Sequence, residues 1–319
     1  MYKRNPLVTY LMPLPMVIGM SLMKVKPISH FMMRKMAEGV LSPAQKRKAF
    51  AGYEATKHDV FVSTYAKSGT NWMMQIAQQI AYLGECDFDH IHDMVPWPGP
   101  PVPTFIPLEN DGPQKNAPTK LRVIKSHLEM EYLPYNPEAK YIAVLRDPKD
   151  SFVSGYYFGH EIMNASDFVY SVEEWLMFYK ENRSMFDSWA AHTASFWEWR
   201  NRDNVMLITF KELKEDLTDA VRRVAQFLEV DLTEEQLAKV VERSSFRYMK
   251  KHADKFAFPV FTFLGIKDEG AAIVREGKRG GAGGLLSREQ QREIDAFCQA
   301  ELKRLGSDFP YETYFEVVE

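Results

Sequence analysis

The residues best suited to hold an anion lie between 61 and 72, in the stretch FVSTYAKSGTNW. An apolar, β-rich run ends there in the turn AKSGT, and an amphipathic helix pattern starts at about Thr70. Backbone N–H groups at a helix N-terminus, the helix dipole and the charge of Lys67 all favour a bound anion. The pattern therefore predicts a site for a phosphorylated ligand. A capped helix with an incidental lysine is the alternative.

This turn differs from the phosphate-binding loop of nucleoside triphosphatases. That motif is G-x-x-x-x-G-K-[ST], in which the lysine directly follows the second glycine. Here Lys67 precedes Gly69 instead of following a glycine, and the residue four before Lys67 is Ser63. The shorter loop is therefore expected to wrap an anionic group smaller than a triphosphate.

A second pair of reactive side chains, Lys125 and His127, follows the apolar segment 121–124. Strand residues two apart share a face, so both side chains are expected on one side of the sheet. A neutral imidazole, whose ordinary pKa is about 6.5, can take the proton of an attacking hydroxyl group. The neighbouring ammonium can stabilise charge on a group in transfer. The alternative is a histidine satisfied at a strand end.

Arg146 directly follows the buried strand pattern 141–145 and begins the sequence RDPKDSFVSGYY. The Asp-Pro pair behind it is a typical helix start. Ser151 and Ser154 are three residues apart and therefore share one helix face. Arg146 and Ser154 can converge on one phosphate, for which a guanidinium is a forked donor. An exposed Arg-Asp pair with ordinary helix serines is the alternative.

Together these three blocks resemble the cytosolic-type sulfotransferases, which use 3′-phosphoadenosine 5′-phosphosulfate (PAPS) as donor. AKSGTNW is similar to that family's 5′-phosphosulfate loop, with Ala66 where proline is usual. KSHL is similar to the segment that carries its catalytic histidine, and RDPKDSFVSGYY to its 3′-phosphate segment. The blocks keep the family's order and spacing, and the resemblance covers about residues 59–302.

The resemblance implies a role for each block. His127 is expected to be the general base for in-line attack at sulfur, Lys67 to stabilise the leaving phosphate, and Lys125 the transferring group. The product would be adenosine 3′,5′-bisphosphate (PAP). The implied cofactor-binding residues are Lys67, Ser68, Gly69, Thr70, Asn71, Trp72, Arg146, Ser154, Phe210, Ser244, Phe246, Arg275, Glu276 and Gly277. Phe210 stands where the family usually has tyrosine, so it keeps the ring without the hydroxyl group. For each aromatic residue, core packing is the alternative.

The glycine-rich segment 275–287, REGKRGGAGGLLS, departs from the family pattern. Its composition predicts that it forms no packed element, so it is either a solvated linker or a mobile lid over the 3′-phosphate. Glu276 stands where lysine is usual, which reverses one charge. Lys278 or Arg279 is a substitute for the missing cation. The departure affects the expected cofactor affinity and not the reaction class.

The expected acceptor is a small, hydrophobic hydroxyl compound or amine, with phenols, alcohols, sterols and amines all left open. Aromatic and proline-rich walls suit such a molecule. The predicted wall residues are Trp97, Phe105, Tyr156, Tyr157 and Phe158, together with the aromatic run 256–263. Packing within the core is the alternative for these residues.

The composition and the net charge restrict which other ligands and partners the chain is expected to have. A net charge of −3 argues against a nucleic-acid binder. Cys86 and Cys298 form no disulfide framework, and the histidines lack metal-ligand spacing apart from the weak pair His90 and His92. Sulfuryl transfer from this donor is expected to need no metal. These features fit a reducing, cytoplasmic compartment.

Strand and helix patterns alternate from residue 59 onward. They predict an α/β fold: a single P-loop-like domain, with a central parallel sheet, helices on both faces and ligands at the carboxyl ends of the strands. The predicted strands are 59–65, 121–125, 141–145 and 205–209. The predicted helices are 70–83, 148–158, 172–185, 190–200, 218–228, 233–243 and 287–305.

The chain is expected to divide into an N-terminal extension, 1–58, and a sulfotransferase domain, 59–319. The extension contains an uncharged apolar segment, 7–23, that two prolines interrupt and that is short for a spanning helix. Three readings stay open: packing over the acceptor pocket, a weak membrane contact, or a dimer contact. The family's dimer motif is not recognisable, so a monomer and a homodimer both remain open.

Two other functions are consistent with parts of the chain. A nucleotide-dependent phosphotransferase (kinase) of related fold would need a Gly-Lys loop and Mg²⁺ ligands, and that loop is missing. A non-catalytic nucleotide-binding protein would fit the altered glycine-rich segment and the apolar N-terminus. The three ordered motifs favour the sulfotransferase.

Overall fold

The structure is a computed structural model that describes most of the chain from residue 42 onward. The described residues are 27–28, 30–31, 34–35, 38, 42–99, 105–162, 170–181, 187–257 and 282–318, with only the backbone described at 161–162 and 282–283. The apolar segment 7–23 and the predicted cofactor residues at 275–277 lie outside them. Within the described part of the chain, no helix has the length and apolar character needed to cross a membrane.

Parallel strands form the central sheet, in the order β2-β1-β3-β4. They are β1 Asp59–Ser63, β2 Arg122–Ser126, β3 Lys140–Leu145 and β4 Val205–Thr209. The register pairs Ser63 with Ser126 and Leu145 with Thr209, so the carboxyl ends of all the strands meet at one edge. From β1 the chain goes to β2 on one side and then crosses back to β3 on the other side, and open α/β sheets bind ligands at such a switch point.

Helices connect and cover these strands. They are α1 Pro43–Lys48, α2 Thr70–Ala81, α3 Gly112–Asn116, α4 Pro148–Ile162, α5 Val172–Lys180, α6 Trp189–Glu198, α7 Phe210–Glu215, α8 Leu217–Phe227, α9 Glu234–Ser244, α10 Phe246–Lys251, α11 Ala282–Leu285, α12 Arg288–Arg304 and α13 Tyr311–Tyr314. Serine and threonine caps begin several of them. Thr209, for example, forms a capping box with Glu212 that starts α7 directly after β4.

Alternating strand residues pack on the two faces of the sheet. Val62 and Val144 point into one cluster, which α2, α8 and α9 complete. Phe61 and Tyr141 point into another, where their rings stack with centroids 5.0 Å apart and Phe196 of α6 joins them. This period-2 division of apolar residues places helices on both faces of a parallel sheet. The predicted fold class is confirmed.

Differences from the predicted elements lie mostly where the pattern is short. The sequence did not predict α1, α7 and α10, which have six residues each and too few turns to show a helical period. The helix predicted over 172–185 ends at Lys180, and α4 extends to Ile162. The glycine-rich segment was expected to form no packed element, but its end forms α11, and Leu286 is buried.

Candidate active site

The turn between β1 and α2 is built on two left-handed residues. Lys67 has φ 63° and Gly69 has φ 102°, a region that side chains with a Cβ atom rarely adopt. A Cβ atom on Gly69 would lie 2.9 Å from Cδ2 of Phe210. Behind the turn, the hydroxyl groups of Thr64 and Thr70 share a hydrogen bond. The turn is therefore a tight backbone cradle that ends at the N-terminus of α2.

Arg146 and Lys67 lie together at this edge of the sheet. The Arg146 Nη1 atom donates a hydrogen bond to the carbonyl oxygen of Lys67 at 2.7 Å. The Lys67 ammonium lies over the ring of Phe158, 3.9 Å from its centroid. Two cations from two separate sequence blocks thus flank the turn. Phe158, predicted as an acceptor residue, contacts the lysine predicted to face the donor.

Three aromatic and cationic side chains from distant segments meet beside Gly69. The ring of Phe210, the first residue of α7, meets Trp72 edge-on at 5.5 Å and carries the Arg146 guanidinium 4.3 Å above it. Trp72 Nε1 donates to the carbonyl oxygen of Ser244 at 2.8 Å. The structure therefore brings together four of the predicted cofactor-binding residues, Trp72, Arg146, Phe210 and Ser244. Phe246 starts α10 two residues later and is exposed.

A residue that the predicted site omits also faces the turn. Ser151 of α4 is buried, and its Oγ atom lies 3.3 Å from Oγ of Ser68. Ser154, which the sequence assigns to the phosphate site, is half-buried one turn further along α4. The shared helix face of the two serines was the signal that could have added Ser151. Asn71 is half-buried in the first turn of α2.

His127 is held in one tautomer. Its Nδ1 atom lies 2.7 Å from the carbonyl oxygen of Thr64, and because a carbonyl only accepts, Nδ1 carries the hydrogen and Nε2 carries the lone pair. Burial, followed by the charge of Lys125, lowers the pKa of His127 to about 3, although the bond to Thr64 acts in the opposite direction. The imidazole is therefore neutral near pH 7 and able to accept a proton.

Lys125 lies on the same face as His127. Its side chain is buried, and its Nζ atom lies 3.5 Å from the centroid of the Trp97 ring. Burial and the nearby charge of Lys67 lower the pKa of Lys125 to about 7. Lys67 therefore lies close enough for its charge to act on Lys125, and two cations this close mark a place where an anion would be stabilised.

Aromatic residues line the other side of His127. The ring of Trp97 meets the imidazole edge-on at 5.2 Å and stacks with Phe105 at 5.7 Å. The ring of His92 lies 4.2 Å from that of Phe105 and stacks with Trp97. His92 was noticed in the sequence only as a weak metal ligand. It is instead part of this wall, and its Nδ1 atom donates to the carbonyl oxygen of Val95 at 2.8 Å.

The remaining predicted residues divide into three groups. Tyr157 is half-buried and meets Tyr156 edge-on at 5.5 Å. Phe256, part of the aromatic run 256–263, is instead buried in the main core against Phe88. Arg275, Glu276 and Gly277 lie outside the described residues. Among the residues that are described, no group of His, Cys, Asp and Glu could hold a metal ion.

The family model described as "Sulfotransferase domain" matches residues 57–306. The chain belongs to the sulfotransferase family. Sulfotransferase 2A1 of Macaca fascicularis is 28% identical over 277 residues, which cover 83% of this chain and 92% of the relative. Sulfotransferase 1 family member D1 of Rattus norvegicus is 32% identical over 216 residues, 66% of this chain and 72% of the relative.

Solved sulfotransferase structures share the fold. The mouse sulfotransferase SULT7A1, solved in complex with PAP, superimposes with a TM-score of 0.61 at 22% sequence identity. The match covers 82% of this chain and 90% of the SULT7A1 chain. Retinol dehydratase, solved with androsterone and the inactive cofactor PAP, superimposes with a TM-score of 0.66 at 20% sequence identity. The match covers 85% of this chain and 87% of the retinol dehydratase chain. The protein is thus a sulfotransferase enzyme with an α/β P-loop-like domain.

Proposed function

We propose that this sulfotransferase transfers the sulfuryl group of PAPS to a hydroxyl or amine group of a small hydrophobic acceptor, with His127 as the general base. The observation that carries the proposal is the hydrogen bond from His127 Nδ1 to the carbonyl oxygen of Thr64 at 2.7 Å. This bond fixes the base to the residue that begins the phosphate-binding turn. It also leaves the basic Nε2 atom available to the acceptor.

The donor site is assigned to the edge of the sheet where β1, β3 and β4 end. The turn amides, Ser68 and Thr70 would hold the 5′-phosphate, at the N-terminus of α2. Arg146 and Ser154, with the segment around Arg275, would hold the 3′-phosphate, and the rings of Trp72 and Phe210 would contact the adenine. The two PAP-bound structures of the same fold support this assignment. PAPS supplies an activated sulfuryl group on a phosphate leaving group.

The residues of the site fit the charge changes of the reaction. The acceptor oxygen or nitrogen forms a bond to sulfur while the bond from sulfur to the phosphate oxygen breaks, and the phosphate keeps the electron pair. His127 Nε2 receives the acceptor proton. Lys67 and Lys125 lie where negative charge grows on the leaving phosphate and on the transferring group. An anion between these cations would also raise the low pKa of His127 and so strengthen the base.

The acceptor site is assigned to the aromatic side of His127. Trp97 and Phe105 offer flat apolar surfaces, while Phe158 and Tyr157 approach from α4. Such surfaces suit a phenol, a sterol or another hydrophobic alcohol or amine. The sulfotransferases in the comparison support a small-molecule acceptor.

Calorimetric titration tests the donor assignment. We expect PAP to bind the purified protein tightly and ATP with Mg²⁺ to bind weakly. An Arg146→Ala variant should lose most of the PAP affinity, since the 3′-phosphate loses its forked donor. Tight binding of ATP with weak binding of PAP would contradict the proposal. A panel of phenols, sterols and amines with PAPS then identifies the acceptor class.

A further inference from the structure

A buried ionic cluster lies behind His127 and is formed by Lys46, Glu129 and Asp187. The side chain of Lys46 in α1 is 7% exposed, and its Nζ atom donates to both carboxylate oxygens of Glu129, at 2.7 and 2.9 Å. Asp187 forms an ion pair with the same ammonium. Glu129 follows His127 by two residues, and Asp187 comes two residues before α6. The cluster therefore ties three distant segments together.

The electrostatics of the cluster show how closely its members interact. Burial lowers the pKa of Lys46, but Glu129 and Asp187 raise it by more, so the net shift is upward. Burial and the charge of Asp187 raise the pKa of Glu129, against the effect of Lys46. A buried ion pair recovers its desolvation cost poorly and is a weak source of stability. A role in fixing geometry is therefore a reasonable explanation for it.

The turn after β2, which carries both His127 and Glu129, is anchored on both sides of Glu129. Ser63 Oγ donates to the carbonyl oxygen of Leu128 at 2.7 Å, and the Met130 N–H donates to Ser195 Oγ at 3.2 Å. Glu129 lies between these two anchored residues. The buried ring of His192 stacks on Phe196; burial and then the charge of Lys46 lower the pKa of His192, and His192 in turn contributes to the low pKa of His127. The turn after β2 is thus held by hydrogen bonds and by one ion pair.

We propose that Lys46 is a positioning residue for His127. By clamping Glu129, Lys46 holds the turn in the conformation that directs His127 Nδ1 to the carbonyl oxygen of Thr64. This inference rests on the proposed role of His127 as the base. Lys46 lies outside the family-matched residues 57–306, so a segment that precedes the matched domain contributes to the geometry of the site.

Substitutions in α1 provide the test and its control. Lys46→Met removes the ammonium, and Lys48→Met removes an exposed lysine from the same helix. We expect kcat for sulfuryl transfer to fall on the order of 10²-fold in Lys46→Met, because small displacements of a catalytic group have effects of this size. Lys48→Met should behave like the wild type. Lys46→Arg, which keeps the positive charge and can bind a carboxylate through its forked guanidinium, should retain most of kcat.

Two readouts separate positioning from general destabilisation. PAP affinity, measured by calorimetry, should stay within about threefold of wild type in Lys46→Met, which would show an intact fold and donor site. In ¹⁵N-histidine NMR spectra, the Nδ1–H signal of His127 should be lost or exchange-broadened in Lys46→Met and restored in Lys46→Arg. If Lys46→Met fails to fold, Glu129→Gln, which keeps the side-chain shape, should show the same loss of kcat and of the NMR signal.

The outcomes distinguish this inference from the proposed function. Unchanged kcat and an unchanged Nδ1–H signal in Lys46→Met, or in Glu129→Gln if Lys46→Met does not fold, would overturn the positioning role while leaving His127 as the base. If His127→Ala retains turnover, the base assignment itself fails, and the inference about catalysis fails with it. Loss of kcat and of PAP affinity in equal measure would also overturn it, because that pattern indicates a damaged fold.

Discussion

The proposed donor side and the proposed acceptor side of this site, here called the donor side and the acceptor side, are built in different ways. The donor side comes from short continuous blocks at the ends of β1, β3 and β4, and the parallel register alone brings Gly69, Arg146 and Phe210 to one edge. The proposed acceptor side comes from Trp97 and Phe105, which lie in loops, and from His92, which lies in the single 3-10 turn Ile91–Asp93. The ends of strands thus specify the proposed phosphate site, whereas long-range packing specifies the proposed acceptor wall.

His127 belongs to both sides, so its substitution is expected to have the largest effect. His127→Ala should lower kcat by about 10²–10⁴-fold, the usual contribution of a general base. PAP affinity should be unchanged, because the turn and Arg146 remain. Steady-state kinetics and calorimetry on the same preparation measure both quantities. His252→Ala, which changes a histidine in another part of the chain, is the control. Normal turnover in His127→Ala would rule out the base assignment.

The pH dependence of kcat/KM tests the proposed role of Lys125, the cation between the donor side and the acceptor side. The pKa of Lys125 is lowered to about 7, so its ammonium is present below pH 7 and is lost as the pH rises through that value. We expect kcat/KM for PAPS to fall about tenfold per pH unit above this point. The pKa of His127, lowered to about 3, predicts no matching loss between pH 5 and 7 in the free enzyme.

Lys125→Arg is the matched variant for this profile. A guanidinium stays charged at all accessible pH values, so the decline above pH 7 should disappear while the rest of the profile is retained. An unchanged decline in Lys125→Arg would show that another group titrates, and the assignment of Lys125 would fail.

Much of the fold and of the donor side could be predicted because the signals are local. Each strand lies within two residues of its predicted bounds, and β4 matches at both ends, since a short apolar run, 205–208, defines it. Phe210 was predicted to keep an adenine contact, and the structure places it beside Trp72 and Arg146. The assignment of these residues to ligands stays a prediction.

The acceptor side and the ionic cluster could not be predicted to the same extent. No motif in the sequence around His92 or Lys46 indicates their role. The hydrogen bond from Lys46 to Glu129 joins residues that are 83 positions apart in the sequence. Such contacts depend on how α1 packs against the turn after β2, which no periodic pattern encodes. The boundary expected at residue 58 also stays a prediction, although Phe50 packs in the same cluster as Phe61.

Gly69→Ala tests the donor side alone. The left-handed backbone of Gly69, with φ 102°, costs a residue with a Cβ atom about 1–2 kcal/mol. That atom would also press on the Phe210 ring at 2.9 Å. We expect PAP affinity to fall roughly tenfold or more, with the acceptor KM unchanged. Gly306→Ala is the control, because Gly306 has φ 70° but nothing within 4 Å of an added Cβ atom. A comparable loss of PAP affinity in both variants would contradict the role of the turn.

Trp97→Leu tests the acceptor side and is expected to have the smallest effect. The ring of Trp97 lies under the Lys125 ammonium at 3.5 Å and against the His127 edge, so leucine removes a flat surface next to both groups. The loss of one aromatic contact, about 0.5–1.5 kcal/mol, predicts an increase in acceptor KM of about two- to tenfold. PAP affinity should not change, since the turn and the Phe210 ring are untouched.

Trp199→Leu is the matched control for this variant. Trp199 also carries a cation on its ring, with the Arg202 guanidinium 3.7 Å from the centroid, but its contacts are with Tyr135 and not with the catalytic residues. Both variants lose a tryptophan under a positive charge, so a general loss of stability affects both. Only Trp97→Leu should raise the acceptor KM. If Trp97→Leu instead weakened PAP and left the acceptor KM unchanged, the wall would belong to the donor side, and the division between the two sides would have to be redrawn.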